Sequence, residues 1–170
     1  MVAPYNAYGL VPGMGGTAYT AEHDNMGLIY GSPHQLVYLT HALIDGASRD
    51  VGNTADSTVL RPGLIMAVVT ATQKWKPYVA GTSDGTEIPR GILTILGLNM
   101  QNIGADADRF LATILVGGNV NPEALCIAST AAYGLDKSTA AHVVVRKAFK
   151  YSFRFSDDFM NYTAEALSAR

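Results

Sequence analysis

Between Leu60 and Leu96, apolar and turn-forming residues fall into a pattern that predicts three β-strands. Leu64 to Val69 is a short apolar run, Lys74 to Val79 alternates with a Trp and a Tyr, and Gly91 to Leu96 is apolar and rich in Ile and Leu. Runs of this length bounded by Gly, Pro, Asp and Ser read as strands. Between the second and third, Gly81-Thr-Ser-Asp-Gly85 turns the chain, because Gly tolerates positive φ and Ser and Asp hydrogen-bond their own backbone. Upstream, residues 35–44 (QLVYLTHALI) predict a strand closed by Asp45-Gly46, followed by a polar loop over 47–57. Downstream, Asn99 to Arg109 reads as a loop, Phe110 to Val116 as a fourth core strand ending at Gly117-Gly118, and Leu125 to Ala128 as a further short strand. Asp136 is placed to cap a helix beginning near Lys137, which the β-branched run Val143-Val144-Val145 should keep short.

The last predicted strand has the clearest period. Phe149, Tyr151, Phe153 and Phe155 alternate with Lys150, Ser152, Arg154 and Ser156, so one face is aromatic and the other polar. Burying four such side chains contributes on the order of 6 to 12 kcal/mol before entropy is counted. That face is therefore expected against the core or a subunit, as are Trp75 and Tyr78 on the second strand.

The first 34 residues follow no helical or strand period and are interrupted by six Gly and three Pro. Their only charged side chains are Glu22 and Asp24, and Tyr5, Tyr8, Tyr19 and Tyr30 recur among them. Disordered segments are usually charge-rich and aromatic-poor. Tyrosines on an uncharged tether instead offer large apolar faces with polar tips at little rotamer cost. This stretch reads as an arm that orders on a partner, with Tyr5, Tyr8, Tyr19, Met26, Ile29 and Tyr30 as its contact residues. The expected organisation is an extended N-terminal arm over 1–34, a joining strand and polar loop over 35–57, and a core domain over 58–170. The fold class is α+β, β-dominated, with one short C-terminal helix.

Composition narrows the function. Charged residues make up 15% of the chain, below the roughly 25% of typical soluble domains, which suggests that much of the surface touches other protein. The net charge is −2 and no Lys or Arg precedes Arg49, so the arm carries no electrostatic footprint for nucleic acid. The basic start of a secretory signal is missing, and no apolar run approaches the roughly 20 residues needed to span a bilayer. The expectation is a soluble, untargeted protein. Cys126 is the only cysteine, which excludes an internal disulfide and fits a reducing cytoplasm.

Candidate chemistry is sparse. Gly13-Met-Gly-Gly16 follows no strand and lacks the Gly-Lys-Ser/Thr ending of a phosphate loop. His23, His34, His41 and His142 lack zinc-site spacing. The pairs Asp106/Asp108 and Asp157/Asp158 belong to no complete calcium loop. Asp84 and Glu87 flank a turn, and neither Ser129-Thr130 nor Ser138-Thr139 sits in a nucleophile elbow. Lys137, Arg146, Lys147, Lys150 and Arg154 place five of the twelve basic residues near the C-terminal end, where they read as a solvated face. No catalytic residue, metal site, cofactor or small-molecule substrate is expected.

The order of these pieces resembles the head decoration protein D family of tailed bacteriophages, the lambda-like capsid cement proteins. The resemblance is carried by Arg61-Pro-Gly-Leu64 leading into the first strand, Lys74 to Tyr78 with its Lys-x-x-Pro-Tyr pattern, Ser83-Asp-Gly-Thr-Glu87 and Gly91-Ile-Leu93. It covers roughly residues 58 to 156, and the first 57 residues form an arm longer than in short family members. It implies a compact β-tulip fold that assembles as a homotrimer on the threefold positions of an expanded icosahedral head. The arm would contact the major capsid protein, and Trp75, Tyr78, Phe149, Tyr151, Phe153 and Phe155 would belong to the core or the trimer interface. The place implied is the outer surface of the virion, after synthesis in the host cytoplasm. A non-catalytic, β-rich ligand-binding module of a phage tail or fibre is the alternative, and it would need Trp75 exposed.

Overall fold

The computed structural model describes residues 36–39, 41–95, 98–100, 108–111 and 113–158. The arm residues of 1–34, the Asp106 position and residues 159–170 lie outside the described residues. The strands are β1 (Val37–Leu39), β2 (Ala42–Ile44), β3 (Val59–Leu60), β4 (Ile65–Val68), β5 (Trp75–Pro77), β6 (Pro89–Leu93), β7 (Leu98–Asn99), β8 (Arg109–Leu111), β9 (Ile114–Val120) and β10 (Phe153–Phe155). A 3-10 turn spans Pro122–Ala124, and one α-helix, α1, spans Ala140–Phe149. Among the described residues the domain is β-dominated, with α1 its one full helix.

Strand pairing turns the main sheet back on itself. β1 pairs with β9 and β2 with β8 in one antiparallel register: three residues back from Ile114 to Leu111 match three forward from Leu39 to Ala42. The other edge of β9 pairs with β6, and β6 with β4, β4 with β5, and β5 with β2. The path therefore returns to the ladder from which it started, and the sheet closes as a small barrel, an arrangement that removes exposed strand edges. β3 and β7 form a separate two-stranded ribbon, and β10 lies parallel to the far end of β9.

Successive residues on the central strands enter two different cores. Ala42 and Ile44 of β2, Met66 of β4, Trp75 of β5, Leu93 of β6 and Ile114 of β9 pack in one cluster that the barrel encloses. Ile65, Ala67, Ile92 and Leu115 face outward into a second cluster roofed by Val145 and Phe149 of α1 and by Phe153 and Phe155 of β10. Burial on both faces explains why β4 and the Gly91–Leu93 part of β6 read as continuous apolar runs instead of alternating ones. Gly91 leaves room for Ile114 and, less tightly, for the Trp75 ring. A Cβ there would stand 2.5 Å from Ile114 Cγ2 and 3.2 Å from the Trp75 ring.

Several sequence expectations change. The strand expected over 35–44 is two strands bent at His41, whose φ of 66° leaves the β region. Gly117-Gly118 does not end the fourth strand. β9 runs on to Val120, and a side chain at Gly117 would press on Ser152 O and the Val37 side chain, where β1 and the lead into β10 both approach. Leu125 to Ala128 is not a strand but a buried crossing with one parallel bridge, Cys126 to Leu64. The helix begins at Ala140 and runs ten residues through the valine triplet, because burying Val145 in the outer cluster outweighs a small propensity cost.

The aromatic strand is the main correction. Phe149 lies on the last turn of α1, only Phe153–Phe155 is extended, and Tyr151 is 92% exposed in the turn between them. The helix turns Phe149 inward, where its ring centre is 4.5 Å from that of Phe153. Four aromatics at a spacing of two thus supply three core residues and one surface residue.

Candidate functional site

The stretches that carry the family resemblance build scaffold. Arg61, in the lead-in to β4, is buried with Asp50 from the preceding polar loop. Its Nε and Nη2 donate to the two Asp50 carboxylate oxygens at 2.7 and 3.0 Å, a bidentate pair. Nη1 donates to Ala131 O and Nη2 to Thr130 O, both at 2.7 Å. The Tyr133 ring covers the guanidinium 5.4 Å away. One side chain therefore ties loop 45–57, the barrel and the 127–133 crossing together. Gly52 belongs to this node, since a Cβ there would collide with Thr130 O and Arg61 Nη2. The sequence held one signal for it: an arginine inside an otherwise apolar run needs a partner. Nothing local pointed to Asp50.

Lys74 to Tyr78 contains β5, with Trp75 and Tyr78 buried and Lys74 and Lys76 bridged to Asp108 and Asp45. The Trp75 side chain, 7% exposed inside the barrel, leaves little ring for a ligand to stack on. In the turn, Asp84 Oδ1 accepts from Thr86 N at 3.0 Å and from its hydroxyl, which holds the carboxyl below its usual range. Glu87 Oε2 accepts from Gly85 N at 2.9 Å. Both carboxylates accept hydrogen bonds within the turn.

The remaining charged cluster lies where α1 meets β10. Asp136 Oδ1 accepts from Thr139 N and Ser138 N, and Oδ2 accepts from the Thr139 hydroxyl at 2.7 Å. These bonds, led by the Thr139 amide, hold the Asp136 carboxyl far below its usual range and anchor the start of α1. His142 Nδ1 lies 2.7 Å from Asp136 Oδ2. Arg146 stacks 4.4 Å from the Phe155 ring centre and donates to Leu135 O, Asp157 and Asp158. Lys137 pairs with the same two aspartates at 3.4 and 3.0 Å. Although burial works against ionisation of Asp157, its bonds to Arg146 and the charge of Lys137 hold its pKa below normal. The Asp157/Asp158 pair closes ion pairs; it is not an open set of oxygen ligands.

Beside these pairs runs a groove of about 460 Å3 lined by Val143, Lys147, Lys150, Phe153, Arg154 and Phe155 among others. A second concavity continues from it past Lys150, Phe153 and Arg154 to Val37, the first residue of β1. Around its mouth Val37 and Tyr151 are exposed. Of the sequence-selected aromatics, the structure thus brings Phe149, Phe153 and Phe155 together, places Trp75 in the other core, and puts Tyr151 in solvent. Cys126 is buried between strands and its thiol is pushed up to about 12 by desolvation. Among the described residues no three His, Cys, Asp or Glu side chains converge, and no helix is long and apolar enough to cross a membrane. No protein-family model and no curated protein sequence matches this chain.

Proposed function

We propose that this protein is a structural capsid decoration protein of a tailed phage: a β-tulip-type domain that binds as a homotrimer to the outer surface of the expanded head at threefold positions. There it clamps neighbouring capsomers, with the N-terminal arm contacting the major capsid protein. One observation carries the reading. The residues behind the family resemblance, from Arg61 through Lys74 to Tyr78, Ser83 to Glu87 and Gly91 to Leu93, occur in the family's order, and each has a structural task in one β-dominated core. A cement needs a rigid body and adhesive segments, and no chemistry.

The mechanism is mechanical. An arm with few charges adds main-chain hydrogen bonds to a capsid sheet edge, with pockets for its tyrosines. Three arms on one rigid trimer reinforce one another, because linked sites gain roughly 10² to 10⁴ in effective affinity. The tail or fibre ligand module is the weaker reading, since the ring it would use, Trp75, is buried. Electron microscopy of the purified protein mixed with expanded heads tests the proposal, with density expected at threefold positions. Removing residues 1–34 is expected to abolish co-sedimentation with undecorated heads. Full binding by the shortened protein would refute the role given to the arm.

A further inference from the structure

The groove between α1 and β10 has an unbalanced charge. Lys137 and Arg146 are neutralised by Asp157 and Asp158. Lys147, Lys150 and Arg154 have no carboxylate partner among the described residues, and Lys150 only approaches the exposed Tyr151 ring, at 5.8 Å. Phe153 and Phe155 line the groove with these three cations but are almost wholly buried, so the apolar surface on offer is that of half-buried Val143 and, in the adjoining concavity, of exposed Tyr151 and Val37. The surface suits an occupant that is acidic and carries apolar side chains.

One segment of this chain has that chemistry and starts close by. Ahead of Asp45 the only Asp, Glu, Lys or Arg side chains are Glu22 and Asp24, and Tyr19, Met26, Ile29 and Tyr30 flank them. The arm joins the domain at Val37, which lines the concavity that shares Lys150, Phe153 and Arg154 with the groove. From Tyr30 to Val37 the chain spans up to about 23 Å when extended. That exceeds the length of α1, about 15 Å for ten residues. The tether therefore reaches the whole groove without leaving the molecule.

We infer that the stretch from Tyr19 to Tyr30 of the same chain docks in this groove, setting Glu22 and Asp24 against Lys147, Lys150 and Arg154 and its apolar side chains over Val143 and Tyr151. In the free protein this docking shields the adhesive arm. The groove is its resting place, and a competing partner must draw the arm out.

The test is zero-length carbodiimide cross-linking of the full chain, as an equal mixture of light and heavy isotope protein, followed by mass spectrometry. Lys147 or Lys150 joined to Glu22 or Asp24 within one isotope class is the expected product. Arg154→Glu, which keeps both lysines, should lower that yield about fivefold, the upper end of what one exposed ion pair is worth. Cross-links of mixed isotope class would overturn docking within one chain in favour of exchange between copies. Links only to Glu165 would give the groove to residues 159–170, and no lysine link to Glu22 or Asp24 would remove the arm from it altogether. The mixture contains no shells, so the outcome is independent of the capsid reading.

Discussion

Replacing Arg61 with methionine keeps most of the side-chain volume and removes the charge and all five donor hydrogens. Asp50, fully buried, would then hold its carboxylate without a counter-charge, and the carbonyls of Thr130 and Ala131 would lose donors that now sit at 2.7 Å. Breaking a buried pair from one side costs about 3 to 5 kcal/mol, because the surviving charge stays desolvated. The lost stacking on Tyr133 adds only about 0.5 to 1 kcal/mol, so the ion pair decides the outcome. For a chain of this size each kcal/mol lowers Tm by about 2 to 4 °C, which places the expected fall between about 6 and 20 °C. Urea unfolding followed by far-UV circular dichroism gives the free energy directly. Asp50→Leu combined with Arg61→Met should cost less than the two single changes added together, since neither charge is then stranded. Arg61→Lys should fall between wild type and Arg61→Met, because one ammonium cannot reproduce the fork that spans Asp50 and two carbonyls. A Tm for Arg61→Met within about 2 °C of wild type, the range of ordinary surface changes, would refute the reasoning.

The corrected C-terminal aromatics separate cleanly. Phe153→Ala should cost about 3 to 5 kcal/mol as a core truncation, whereas Tyr151→Ser should stay within about 0.5 kcal/mol; equal losses in thermal melts would restore the continuous strand. For Cys126, the folded state holds its proton up to about pH 12, while an unfolded thiol ionises near pH 8.5. The stability tied to this thiol is thus full below about pH 8.5 and lost as pH rises from there toward 12. At pH 8 a thiol reagent should label Cys126 only after denaturant is added, and fast labelling of native protein would contradict its burial.

Much of the barrel was legible in the chain because its strands are short and punctuated. β4, β5 and β6 lie within or across the runs predicted from Leu64, Lys74 and Gly91, and the turn between β5 and β6 falls where Gly81 to Gly85 placed it. The interior of the site was less legible. The period-two aromatics from Phe149 to Phe155 fit a strand, yet three of the four are equally served by a helix end, a turn and a short strand. Spacing alone does not distinguish these when every ring that must be buried is buried either way. The concavity beside the groove sets Val37 with Lys150, Phe153 and Arg154, more than a hundred positions later, a meeting that no local pattern encodes.

By itself the sequence determined the β-dominated class, the turn chemistry, the charge-poor composition of the first 34 residues and the need to bury the C-terminal phenylalanines. These follow from local propensity and composition, which each segment carries with it. The tertiary structure decided the closure of the sheet through the shared β1–β2 and β8–β9 register, the Asp50–Arg61 node, and the setting of three cations around a groove whose neighbouring concavity reaches Val37. Those features depend on which distant residues meet, and that is fixed only when both faces of the central strands are buried at once.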